Sequence, residues 1–165
     1  MINKRISPNR IGIYGLALLS ITLGTLAMAA STPSNVELEL VAELRVVQAG
    51  KGYVFVPATT VMEGQEIFYT LYIRNPSDKY LTTLSIDRAL PANTQYVPGS
   101  ATGAGAEILF SVDGGRNFAK PTELRDPEDP AHAASPDQYT HIRWRLRYPL
   151  APGAVVLARF RAVFV

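Results

Sequence analysis

The chain has 165 residues, of which 47% are apolar and 18% charged, with a formal charge of +2 and no cysteine. That length and balance suit one export segment followed by one folded domain, and they exclude a disordered chain. The missing cysteine excludes disulfides, thiolate metal sites, a cysteine nucleophile and an acylated lipoprotein cysteine, and with two histidines little catalytic vocabulary is left.

Lys4, Arg5 and Arg10 give the chain a basic start, and no residue from Ile11 to Val36 is charged. Leu16-Ala17-Leu18-Leu19 sits at the apolar centre, and Ala27-Met28-Ala29 follows. This is the pattern of a secretory signal helix over 1–29, with Ala27 and Ala29 as the small residues that signal peptidase needs. Cleavage falls after Ala29 or Ala30, and 30–35 reads as a short linker. The alternative is an uncleaved membrane anchor, the one circumstance in which a membrane contact is expected. Beyond the leader, thirteen basic residues stand against fourteen acidic ones, a formal charge of −1. The global charge therefore gives no case for nucleic acid.

The rest, 36–165, reads as strands of one domain. Val36 to Val47 alternates, with Val36, Leu38, Leu40, Ala42, Leu44 and Val46 on one face and Glu37, Glu39, Glu43 and Arg45 on the other. Ala49-Gly50-Lys51-Gly52 turns into the short apolar run Tyr53–Val56, which Pro57 stops. Ile67, Tyr69, Leu71 and Ile73 form the inward face of the next strand, and Asn75-Pro76-Ser77-Asp78 is a turn. Tyr80 to Leu90 follows as a strand with Leu84 and Ile86 in the core. Gly99 to Gly105 reads as a flexible loop.

Glu107 to Phe118 reads as a hairpin around the structural turn Asp113-Gly114-Gly115. Residues 119–138 form a Pro-rich loop. From Tyr139 to Tyr148, Ile142, Trp144 and Leu146 share one face, and His141, Arg143, Arg145 and Arg147 the other. Pro149 to Gly153 turns the chain into Val155–Val165, where Ala158, Phe160, Ala162 and Phe164 face inward and Arg159 and Arg161 outward. Seven to nine strands with turn signals between them give an all-β fold, an antiparallel immunoglobulin-like β-sandwich with Trp144 as core anchor.

Gly64, the strand Tyr69-Thr70-Leu71-Tyr72-Ile73-Arg74-Asn75, then Asp87-Arg88-Ala89-Leu90-Pro91 and Tyr96-Val97-Pro98-Gly99-Ser100 follow one another between 64 and 100. This segment resembles a widespread bacterial conserved-repeat domain, known as domain of unknown function eleven. The resemblance implies an immunoglobulin-like module of secreted or cell-surface proteins and implies no activity. Ser111-Val112-Asp113-Gly114-Gly115-Arg116-Asn117-Phe118 also resembles an Asp-box, a motif that holds hairpin turns and does no catalysis.

Three clusters carry chemistry. Arg143, Arg145, Arg147, Arg159 and Arg161 are expected to share the outer face of one terminal hairpin, where they either grip an anionic ligand or pair with Glu37, Glu39 and Glu43. Asp126, Glu128 and Asp129 supply hard oxygen ligands of the kind Ca²⁺ takes, although a solvated loop is the preferred reading. Lys51, Lys79 or Lys120 with Asn75 offers the residue types of an intramolecular cross-link. No zinc spacing, nucleophile elbow or phosphate loop is present, so no catalytic residue and no cofactor is expected.

The expectation is an exported, non-enzymatic module of the bacterial envelope with a structural, adhesive or scaffolding role, in periplasm, at the cell surface or outside the cell. Its partner would be an envelope protein or an anionic glycan. The alternatives are a binding module for an anionic glycan or acidic protein through the arginine face, and a filament subunit that donates the Val36–Val47 strand.

Overall fold

Alternation of apolar and polar side chains sets the architecture, because each strand buries one face. The structure, a computed structural model, describes residues 36–165. The signal helix, its cleavage residues Ala27 and Ala29 and the linker therefore lie outside the described residues. In chain order the strands are β1 (Glu37–Gln48), β2 (Gly52–Pro57), β3 (Glu66–Arg74), β4 (Ser85–Ala89), β5 (Thr94–Tyr96), β6 (Thr102–Gly103), β7 (Ala106–Ser111), β8 (His141–Leu146) and β9 (Val155–Phe164). A single 3₁₀ turn covers Pro136–Gln138.

The strands form two antiparallel sheets. The larger runs β2-β1-β3-β9-β5, with β6 also pairing β9; the smaller runs β4-β8-β7. Their inner faces share one core. Leu71, Ile73, Ala158, Phe160 and Ala162 come from the large sheet, and Ile86, Ile142 and Trp144 from the small one. Phe160 stacks on Tyr69 at 4.7 Å and meets the Trp144 ring at 6.1 Å, which fastens one sheet to the other.

The inward faces read from the sequence are buried or half-buried except at Val46, which is exposed where β1 runs out beside β2 alone, and the expected terminal hairpin does not form. β8 pairs β4 and β7, while β9 pairs β3. The chain between them crosses from one sheet to the other. Asn75, at the end of β3, holds that crossing. Its side chain is fully buried, and its Nδ2 donates to the carbonyls of Lys79, Leu150 and Ala151 at 2.7, 3.0 and 3.1 Å. Its Oδ1 accepts from the Ser77 N–H and hydroxyl, and its main chain bonds Gly153 and Ala154. Asn75 meets Lys79 only through the Lys79 main-chain carbonyl, and Lys51, Lys79 and Lys120 are exposed, so among the described residues no lysine ammonium bonds the Asn75 amide as a cross-link would need.

Other segments differ from expectation for local reasons. Only Ser85–Ala89 of the Tyr80–Leu90 run is strand, because Leu81 bridges Leu150 instead. The return arm of the 107–118 hairpin closes by one bridge, Phe110 to Ala119. The Gly99–Gly105 loop contains β6, which pairs β9, and the Thr102 carbonyl there accepts the Trp144 indole N–H at 3.0 Å. A Cβ at Gly103 would stand 2.8 Å from Trp144 Cδ1, so that position needs glycine for close approach. The Pro-rich loop is anchored by buried Leu124 and Ala134.

Asn75→Ala removes a fully buried amide and its bonds to three carbonyls and Ser77, and unfolding in urea should show a loss of about 3 kcal/mol. Asn75→Asp, which places a carboxylate against the same carbonyls, should be less stable still at neutral pH. Wild-type stability in either variant would contradict the role given to this amide.

Candidate functional site: a cleft on the large sheet

Outward positions of the large sheet line up in rows set by register. Glu43, Phe68 and Arg161 form one row; Val41, Thr70 and Arg159 form the next. β6 adds Thr102 opposite Arg159. β2 stands over one end with Phe55, whose ring meets Phe68 edge-on at 5.0 Å. Together these side chains line a cleft of about 340 Å³ on the sheet's outer face.

Phe68 is the floor of an aromatic and cationic cluster. The Arg45 guanidinium lies 5.5 Å from its centroid and 4.8 Å from that of Tyr53, and Arg161 lies 5.8 Å from it. Arg161 also donates to Glu66 at 2.9 Å, which neutralises it. Ser100 braces the same strand, its hydroxyl accepting the Arg161 main-chain N–H at 3.0 Å. Arg159 is exposed and Glu43 half-buried, and among the described residues neither makes an ion pair. Among the described residues the cleft lining thus carries one unpaired cation and one unpaired anion beside open aromatic surface, with unpaired Arg45 at the rim.

The five arginines expected on one face are divided between two sheets, because β8 and β9 part. Only Arg159 and Arg161 line the cleft. On the small sheet Arg143 grips Asp87 in a fork, Nε to Oδ1 at 2.6 Å and Nη2 to Oδ2 at 2.7 Å, with its guanidinium 3.8 Å over the Phe118 ring. That hydrogen-bonded carboxylate raises the Arg143 pKa further. Arg145 pairs with Glu107, whose carboxyl that bond holds below its ordinary value. Arg147 is exposed just past β8. The expected partners are also corrected: Glu37 pairs with Arg74 at 3.4 Å, while the arginines of β8 and β9 find Asp87, Glu107 and Glu66, their neighbours across the actual strand pairs.

The acidic loop spends its carboxylates on itself. Asp126 accepts the Glu128 N–H at 2.8 Å, and this bond is the main reason its pKa is lowered. Asp129 accepts the Ala131 N–H at 3.2 Å and bonds His132 Nδ1 at 2.8 Å. Among the described residues no three of His, Asp or Glu gather where they could hold a metal, so Asp126, Glu128 and Asp129 do not make the calcium cluster considered above.

Asp113 organises its turn as the sequence indicated. Its Oδ1 accepts the N–H groups of Asn117 at 2.9 Å and Arg116 at 3.0 Å, its Oδ2 the Asn117 amide at 2.7 Å. Gly114 and Gly115 supply φ of +75° and +83°. Ser111 is fully buried; its hydroxyl donates to Asp113 and accepts the Asp113 and Gly115 N–H groups. His141 sits opposite Ser111 in the sheet but bonds the Thr140 hydroxyl instead. Burial pushes its imidazole below the ordinary value. This Ser, Asp and His set is therefore a turn, with no free hydroxyl for a base to activate.

Phe55, Phe68 and Thr70 were not singled out in the sequence as site residues, and Glu43 only as a pairing partner for the arginines. Their outward phase was visible, but their company depends on which strands are neighbours. The chain matches no family model, no curated protein and no solved structure.

The bonds to Asp113, the Asn117 N–H foremost, hold its carboxyl far below the usual range. Its stabilising effect is complete above the unfolded value of about 3.9 and fades as pH falls toward the folded one. Asp113→Asn should therefore be less stable than wild type at neutral pH and lose less stability between about pH 4 and pH 2. Parallel acid limbs in chemical unfolding would contradict this.

Proposed function

We propose that the chain is an exported, non-enzymatic β-sandwich module of the bacterial envelope, with a structural or adhesive role, and that it holds an anionic glycan on the outer face of its large sheet. The observation that carries this reading is Arg159. It is exposed, it lacks a carboxylate partner among the described residues, and it opens onto a cleft with half-exposed Phe55. Every other arginine of β8 and β9 is neutralised by a neighbour. A guanidinium free of a partner is available for bidentate capture of an anion.

The leader supports export. The non-enzymatic reading is supported by the fate of the two histidines, one bonded to Asp129 in an exposed loop and the other to Thr140. The finer fold reading, an immunoglobulin-like sandwich, is supported by strand count. A six-stranded sheet faces the three strands β4, β8 and β7; without the edge strand β2 and the two-residue β6 it is β1, β3, β9 and β5 over those three, the four over three of constant-type domains. The chain fills those places in another order, since β9 returns to β3 and β8 to β4.

Titration calorimetry of the full chain with acidic polysaccharides tests the reading. Binding should weaken at least about tenfold when ionic strength rises from about 0.05 M to about 0.5 M. Arg159→Gln should cost about tenfold or more, and Arg145→Gln on the other sheet almost nothing. Absence of binding to any acidic polymer, or equal losses in the two variants, would overturn it.

A further inference from the structure

We infer that the cleft recognises saccharide units bearing a single carboxylate each, and that it selects against the more densely charged phosphate and sulfate polyanions. This rests on the reading of the large-sheet face as the binding surface and adds its selectivity. The argument begins with charge. Arg161 is neutralised by Glu66, which leaves Arg159 and Glu43 as the lining charges without an ion pair among the described residues, with Arg45 over Phe68 at the rim. Glu43 sets a negative charge within the lining, so a second strongly anionic group placed there is repelled.

The two signs are useful to a ligand that itself has two kinds of group. A carboxylate presents two coplanar oxygens, which match the guanidinium fork of Arg159. Neighbouring sugar hydroxyls are donors, and Glu43 is an acceptor without an ion-pair partner. Thr70 stands beside Arg159 in register, one row from the Glu43–Phe68 pair, and its hydroxyl both donates and accepts. A second phosphate or sulfate group would instead meet Glu43 and be repelled.

The remaining wall is aromatic. Phe55 is 51% exposed, and Tyr53 beyond it 67%. Apolar C–H faces of a sugar ring pack on such surface without a charge of their own. The cleft's 340 Å³ stands at the lower end of the range for small-ligand sites, about 300–1,000 Å³, so it fits a short stretch of glycan.

The test measures binding of the full chain to a panel of short uronate oligosaccharides (oligogalacturonate, hyaluronan and alginate fragments), to their carboxyl-reduced forms, and to inorganic polyphosphate. The expected result is uronate binding that carboxyl reduction abolishes. Glu43→Gln should weaken it about fivefold and at the same time strengthen polyphosphate binding. Phe55→Ala should weaken uronate binding about tenfold with no change in its salt dependence. All these side chains lie on the outer face, and thermal unfolding of each variant confirms that it is folded. Polyphosphate or dextran sulfate binding as tightly as the uronates, with Glu43→Gln and Phe55→Ala neutral and Arg159→Gln still harmful, would overturn the selectivity and leave the anionic face intact. Failure of every acidic ligand would overturn both.

Discussion

The Asn75 side chain ends β3 inside the core and grips the carbonyls of Leu150 and Ala151, residues of the crossing that leads into β9. A buried amide of this kind has every donor and acceptor committed, so its loss is costly and its geometry specific. Because the crossing is pinned there, β9 is delivered to the edge of β3 and β8 is left beside β4. Trp144 and Phe160 then face each other from opposite sheets.

The distribution of charge follows from the same crossing. On the small sheet Asp87, Glu107, Arg143 and Arg145 are cross-strand neighbours, and they neutralise one another in pairs. On the large sheet the register sets Glu66 within reach of Arg161 and leaves Arg159 between Thr70 and Thr102, two residues with hydroxyls and no charge. Among the described residues Arg159 is unpaired because of what the crossing placed on either side of it. The β1–β2 ribbon adds the aromatic wall, since Phe55 reaches Phe68 across β1.

Faces were legible in the sequence and neighbours were not. Period-two alternation located the buried residues of β1, β3, β8 and β9, because pleating alone decides which side a residue occupies. Pairing depends on long-range closure. The turn Pro149–Gly153 looked like a hairpin because prolines and glycine mark both a tight turn and a passage between sheets. That one misreading merged two arginine groups into a single stripe and offered them the wrong carboxylates. Asp113 was legible because its chemistry is local: its bonds reach at most four residues along the chain. β6 was not legible, since it rests on pairing with β9, beside a carbonyl that receives the Trp144 indole and a glycine that lets the ring approach.

The account turns on the large-sheet face being the surface that meets a ligand. Amide NMR of the full chain, titrated with an acidic oligosaccharide, tests this residue by residue. Shifts should concentrate at Glu43, Phe55, Phe68, Thr70, Thr102 and Arg159, with Asp87, Glu107, Arg143 and Arg145 unmoved. Shifts centred on β4, β8 and β7 instead would contradict the account and return the function to the other arginines.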